Sequence, residues 1–311
     1  MTTLVYTHPV CFEHVAGPGH PECPERLEAI ERALGGETFS SLIRREAPVG
    51  NVEQIARQHP QSLIDGVLNN VPQSGSYYID GDTGMSPLSG EAALRAVGGI
   101  CEAVDEVMSG KVRNAFCATR PPGHHAERHR SMGFCLFNNV AIGAAHAHHV
   151  HGAAKVAIVD FDVHHGNGTQ DMTEQNAYMF YASSHQSPCY PGTGAARETG
   201  LDGNVVNVEL APGAGGIQFR AGYENTIFPA LREFNPDLLM ISAGFDAHER
   251  DPLAHLMLKT QDFEWVTREL VKISDECCDG KIVSTLEGGY DLTALAESVA
   301  VHVQVLMGAK G

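Results

Sequence analysis

Residues 159–170 read VDFDVHHGNGTQ, placing Asp160, Asp162 and His164 at every second position of an otherwise apolar, strand-like stretch. Alternation along a strand would send these three side chains to one side and Phe161 and Val163 to the other. An unpaired buried carboxylate is destabilising by several kcal/mol, so such a cluster calls for a cation. Asp and His are zinc ligands, and a catalytic zinc site uses three protein ligands and keeps one position open. Asp162, His164 and Asp246 supply such a set, and no cysteine lies in the loops that carry them to close a structural site. Asp160 reads equally well as a hydrogen-bonded core carboxylate or as one that orients a neighbouring histidine. Zinc lowers the pKa of bound water and polarises a carbonyl. Hydrolysis then needs a proton carrier, and the adjacent His124 and His125 of a Pro-Pro-Gly loop supply two imidazoles suited to that work at neutral pH. Tyr290, in EGGYD, could donate its phenol to a developing oxyanion, with Gly288 and Gly289 allowing a sharp turn and close approach.

The elements that must position these residues are legible as alternating patterns. Buried strands are predicted at 114–119, 155–163, 204–210, 238–243 and 281–286, with a weaker one at 178–184. Helices are predicted over 91–109, where Leu94, Val97, Cys101, Val104 and Met108 make one apolar stripe, and near 138–151, 218–234, 260–278 and 291–307. Strands alternating with helices imply an α/β fold with a mainly parallel sheet covered on both faces. No Pro/Gly-rich stretch separates two halves, so one domain over 1–311 is expected. In such sheets the loops after the strands' carboxyl ends build the site. Four of these loops carry His124, His125, Asp162, His164, Asp246 and Tyr290.

Composition bounds the function. A formal net charge of −17 repels phosphate backbones and argues against nucleic-acid binding, while leaving cationic ligands or plain solubility as its use. Eight scattered cysteines without a CxxC pair fit a reducing compartment. With no signal-peptide pattern and no long apolar span, a cytoplasmic protein away from membranes is expected.

RPPGHHA (120–126), GFCLFNNVAIGA (133–144), DFDVHHGNGTQ (160–170), SSHQSPCYPGTG (183–194), SAGFDAHERDPL (242–253) and EGGYD (287–291) together resemble the zinc-dependent histone deacetylase family. With HPECPERL (20–27), the likeness is to its class II branch and to bacterial histone deacetylase-like amidohydrolases. The resemblance implies the arginase-deacetylase fold, with a sheet of about eight strands. It implies hydrolysis of acetyl-lysine in peptides or proteins, or of a similar acylated amine. Asp162, His164 and Asp246 would bind one zinc; His124, backed by Asp160, would hydrogen-bond the attacking water; His125 would protonate the leaving amine; Tyr290 would hold the oxyanion. Phe134 and Tyr190 would wall an acyl-lysine channel, with Gly133 leaving room for methylenes and Gly288 lining it. A potassium ion is expected at Asp160, Asp162, His164, Ser183 and the Ser184 carbonyl. Asn167 stands where class I members have an aspartate behind the second histidine, so His125 should be less stabilised as a cation. Asp82, chosen over Asp80, would grip the substrate backbone at the rim.

Leu253 occupies the place where a polyamine-selective relative carries a glutamate, which favours acyl-lysine over the rival acetylpolyamine amidohydrolase. A ureohydrolase is disfavoured because His248 replaces the second aspartate of a two-metal DxD pattern. A catalytically silent acyl-lysine binding module remains the alternative of another class. The histidines of HAHHVHG (146–152) are expected at a solvated helix end rather than on a second metal, and ELAPGAGGIQF (209–219) as a loop lining the pocket.

Overall fold

A computed structural model describes residues 2–308. Its strands are β1 (Thr3–Thr7), β2 (Ile43–Glu46), β3 (Tyr77–Tyr78), β4 (Gly84–Met85), β5 (Asn114–Cys117), β6 (Val156–Asp160), β7 (Met179–Gln186), β8 (Val205–Leu210), β9 (Leu238–Ala243) and β10 (Ile282–Leu286). Its helices are α1 (Glu25–Leu34), α2 (Val52–Ile55), α3 (Gln61–Leu68), α4 (Ser89–Met108), α5 (Asn139–His151), α6 (Asn167–Thr173), α7 (Gly216–Gly222), α8 (Phe228–Phe234), α9 (Thr260–Cys277) and α10 (Leu292–Met307). Eight strands form one sheet in the order β2-β1-β5-β10-β9-β6-β7-β8, with every pairing parallel. β3 and β4 make a separate antiparallel pair.

Because the central strands are buried on both faces, they read as unbroken apolar runs. Alternate residues feed two cores. Phe116, Val159 and Ile241 pack with residues of α1, α8, α9 and α10, whereas Cys117, Ile158 and Met240 pack with residues of α3, α4 and α5. Asn138 caps α5 and Asp291 caps α10, each accepting a hydrogen bond from the backbone three residues on.

All six predicted strands are present, the weaker one as β7. The pattern missed β1 and β2 of the main sheet and the short β3–β4 pair, β2 being a short, mostly exposed edge strand with a single apolar residue, Ile43. The helix expected over 218–234 is divided by a π-turn at Tyr223–Ile227 between α7 and α8. The His-rich end of α5 also differs from expectation. His146 is buried and, with His151, hydrogen-bonds Asp105, so only part of that end is solvated.

On the α9–α10 side, Phe161, Phe245 and Phe263 form a tilted aromatic cluster with ring centroids 5.3–5.9 Å apart. Phe263 is fully buried and lies outside the loops that carry the candidate site residues, so Phe263→Ala should lower stability by about 3–5 kcal/mol. Urea unfolding should show a reduced midpoint at unchanged slope; a loss below about 1 kcal/mol would mean that the cluster is not a packing centre.

Candidate active site

β6 ends at Asp160, so Asp162 and His164 are not strand residues, and strand alternation does not explain their convergence. Successive turns do. Asp160 Oδ1 accepts the Asp162 N–H at 3.0 Å, and Asp162 Oδ1 accepts the His164 N–H at 2.9 Å. Each short carboxylate caps the backbone two residues on, coiling the loop until its polar side chains face inward. Gly244, after β9, lies against Asp162 so closely that a Cβ would sit 1.9 Å from Oδ2. Two residues on, Asp246 enters from this turn and accepts the Val163 N–H at 2.8 Å.

His164 Nδ1 lies 3.2 Å from Asp162 Oδ1 and 3.1 Å from Asp246 Oδ2. All three residues are buried, and their ligand atoms lie within 4.8 Å of one another. One proton on Nδ1 cannot serve both carboxylates equally, whereas a divalent ion bonds all three atoms. The donor set of one imidazole and two carboxylates fits zinc. Burial and the charge of Asp162 push Asp246 up to about 7, so the pair does not hold two negative charges comfortably. Burial opposes a charge on His164, yet Asp162 and Asp246 raise it well above the ordinary histidine range.

His124 and His125 follow β5. The His124 N–H and the Gly123 N–H both point to Glu287 Oε2, at 3.1 and 2.7 Å, while Ser242 Oγ donates to Glu287 Oε1 at 3.0 Å. Nδ1 of His124 lies 2.9 Å from Asp160 Oδ2, which also accepts from Tyr181 Oη at 3.0 Å. Against the effect of burial, the negative charges of Asp162 and Asp160 raise His124 to about 10. Nδ1 of His125 lies 2.8 Å from Asn167 Oδ1, and the Asn167 amide donates to Glu127 at 2.6 Å, which fixes its carbonyl toward His125. With a neutral partner, His125 is pushed well below its usual range by burial and by His124 and His164, and it stays neutral.

The cavity above these groups, about 210 Å3, is lined by Asp82, His125, Gly133, Phe134, His164, Tyr190, Leu253 and Tyr290. Phe134 adopts φ 70°, a left-handed conformation rarely held by a bulky residue, and its N–H donates to Thr83 Oγ1 at 3.2 Å. A Cβ on Gly133 would stand 2.6 Å from the His125 ring, so that glycine is required by the imidazole beside it as well as by the channel. Asp80 and Asp82 part company here. Asp80 Oδ1 accepts the N–H groups of Asp82 and Thr83 to make the turn, and Asp82 faces the cavity.

Two expectations need correction. Gly288 does not line the cavity; its N–H donates to Asp162 Oδ2 at 2.8 Å, and a Cβ there would meet Asp246 Oδ2 at 2.1 Å. Residues 209–219 do not line it either, because this loop pairs with the segment carrying Leu253, through Gly213 N–H to His255 O and Met257 N–H to Ala214 O. Ser183 stands beside Asp160 in the sheet register, with its Oγ 2.9 Å from His185 Nδ1, and Ser184 Oγ donates to Tyr223 Oη at 3.1 Å.

Sequence reasoning missed the support beneath Tyr290. The Arg26 guanidinium lies 4.9 Å from the centre of the Tyr290 ring and donates to Gly289 O, Glu287 O and Glu22. Arg120, also fully buried, binds Glu22 and the carbonyls of Cys11 and His14. Only the Glu22/Arg26 spacing of four residues could have signalled this. Glu287, a lone acid after a strand, gave no sign.

The sequence profile described as "Histone deacetylase domain" matches residues 20–306. A Synechocystis sp. protein, slr0245, is 42% identical, covering 99% of this chain and 100% of its own. "Histone deacetylase 14, chloroplastic" of Arabidopsis thaliana is 37% identical over 98% of this chain and 77% of its own. The crystal structure of the HDA15 HD domain superposes with a TM-score of 0.93 at 35% identity, covering 99% of this chain and 89% of that one.

This candidate ligand set would link metal binding to pH. A cation bound there would displace the His164 proton throughout the neutral range and, below about pH 7, a second from Asp246. Apparent zinc affinity, read by competition with a chelator, should therefore rise about tenfold per pH unit above neutrality and more steeply below it. An affinity that stays flat between about pH 6 and 8 would contradict this sharing of charge.

Proposed function

The chain belongs to the histone deacetylase domain family, and from that premise we propose that it is a zinc-dependent hydrolase of linear amides that removes acetyl groups from lysine side chains. One observation carries the reading: Asp162 and Asp246 converge on His164, which lines one aromatic-walled cavity together with His125 and Tyr290.

Zinc held by Asp162, His164 and Asp246 would supply Lewis acidity toward the amide carbonyl and lower the pKa of a bound water. His124, with Nδ1 on Asp160, is oriented to hydrogen-bond that water through Nε2, which points toward Asp162 Oδ1 at 3.9 Å. His125 directs Nδ1 at the Asn167 carbonyl, so Nε2 of the neutral ring is free to take a proton and pass it to the leaving amine. Burial raises Tyr290 well above the ordinary phenol range, so it keeps its proton and donates to the oxygen that gains charge. A potassium ion at Asp160, Asp162, His164, Ser183 and the Ser184 carbonyl would offset the remaining negative charge.

Phe134 and Tyr190 hold the lysine methylenes, Asp82 accepts from the substrate backbone at the rim, and the apolar Leu253 at the mouth offers no anchor for a distal ammonium. That favours acyl-lysine peptides over acetylpolyamines. Eight free cysteines fit action in a reducing compartment such as the cytoplasm, and no described helix is long and apolar enough to cross a membrane.

Turnover of an acetyl-lysine peptide, N-acetylputrescine and N-acetylspermidine by zinc-loaded protein tests the reading. Tyr290→Phe should lower kcat on the peptide by about 10²–10³ while zinc content holds. Undiminished activity in that variant would sink the mechanism, and a preference of about tenfold for the polyamines would overturn the substrate assignment.

A further inference from the structure

Asp105 on α4 and His146 and His151 on α5 bring a second set of metal-ligating atoms together. Nε2 of His146 lies 2.8 Å, and Nε2 of His151 2.6 Å, from the same Asp105 Oδ1. Among the described residues, this and the catalytic set are the two groups of three or more His, Cys, Asp or Glu side chains with ligand atoms all within 4.8 Å of one another. His146 is buried, while Asp105 and His151 side chains keep 44% and 22% of their exposure, enough for a hydrated ion to enter and retain water. The other histidines of the helix end point elsewhere: His148 stacks on Tyr178 at 4.0 Å and bonds the Ala153 carbonyl at 2.8 Å. Because α5 runs directly into the amino end of β6, the cluster lies at the opposite edge of the sheet from the catalytic loops.

Two imidazoles and one carboxylate suit zinc and its transition-metal neighbours rather than magnesium or calcium. Opening the N···O contacts from 2.6–2.8 Å to about 3.3 Å would admit a tetrahedral ion with bonds of about 2.0–2.1 Å. One neighbour opposes it. Arg57 Nη1 lies 2.6 Å from His146 Nδ1 and can only donate, so Nδ1 accepts and Nε2 carries the ring proton. For Nε2 to bind a metal, that proton must move to Nδ1 and the partly exposed Arg57 must swing away.

We propose that Asp105, His146 and His151 form a second site for a zinc-class divalent ion that clasps α4 to α5, with Arg57 as the built-in competing cation. Equilibrium dialysis of the intact protein against buffered micromolar zinc, followed by elemental analysis, tests it by difference. The catalytic zinc is common to all variants, so the outcome does not depend on the proposed reaction. His151→Ala and Asp105→Asn, each checked for a native circular-dichroism spectrum, should bind one zinc fewer per chain than wild type. Zinc should also raise the wild-type melting temperature more than that of His151→Ala. Arg57→Ala should half-saturate the second site at about tenfold lower free zinc. Equal stoichiometry in wild type and His151→Ala would overturn the site, and an unshifted half-saturation in Arg57→Ala would overturn the role given to the guanidinium.

Discussion

Three carboxylates buried at one end of a parallel sheet are the constraint around which this molecule is arranged. Asp160, Asp162 and Asp246 are each at most 1% exposed. Against burial, the His124 and His164 charges lower Asp162, whereas burial and the Asp162 charge leave Asp246 raised, which is how a crowded acidic group behaves when the available positive charge falls short. A divalent cation would resolve the shortfall in a way that further hydrogen bonds cannot. The imidazoles complete the balance. His124 takes up the charge of Asp160 and Asp162, whereas His125, paired with an amide, is left neutral.

The fold supplies this arrangement through backbone as much as side chains. Asp160 and Asp162 cap their own loop, Gly288 N–H holds the far oxygen of Asp162, and Glu287 gathers the Gly123 and His124 N–H groups beside it. Glu287 therefore ties the β5 loop to the β10 loop, and Arg26 ties the β10 loop to the N-terminal segment through two carbonyls. Burial pushes Glu287 up to about 7, against the lowering effect of the His124 charge and of the Gly123 and His124 N–H groups. His124, Asp162 and the segment that carries Tyr290 are thus held by one connected network.

Much of this was legible in the sequence. Buried parallel strands announce themselves as apolar runs, and a polar residue just past such a run stands out, which is why His124, Asp162, Asp246 and Tyr290 can be gathered from the sequence alone. The edge strand β2 was silent because an exposed, charged strand has no apolar signature. Strand alternation gave the right grouping of Asp160, Asp162 and His164 for the wrong reason, since local turns make the convergence. Gly288 read as a channel glycine because sequence shows that a side chain is absent but not which atoms fill its place. Glu287, Arg26 and Arg120 were invisible because their roles depend on long-range pairing: Glu22 and Arg120 meet across 98 positions. The meeting of Asp105 with His146 and His151 was hidden likewise, since it joins two helices whose separate patterns look like ordinary solvated faces.

Anomalous diffraction collected on either side of the zinc absorption edge, from crystals grown with zinc, bears most directly on the central claim. The account predicts a strong peak bonded to Asp162, His164 and Asp246 at about 2.0–2.2 Å, with room for one solvent ligand facing the Tyr290 side of the cavity. A map with no peak among those three side chains, at full zinc loading and with the loops otherwise as described, would contradict it.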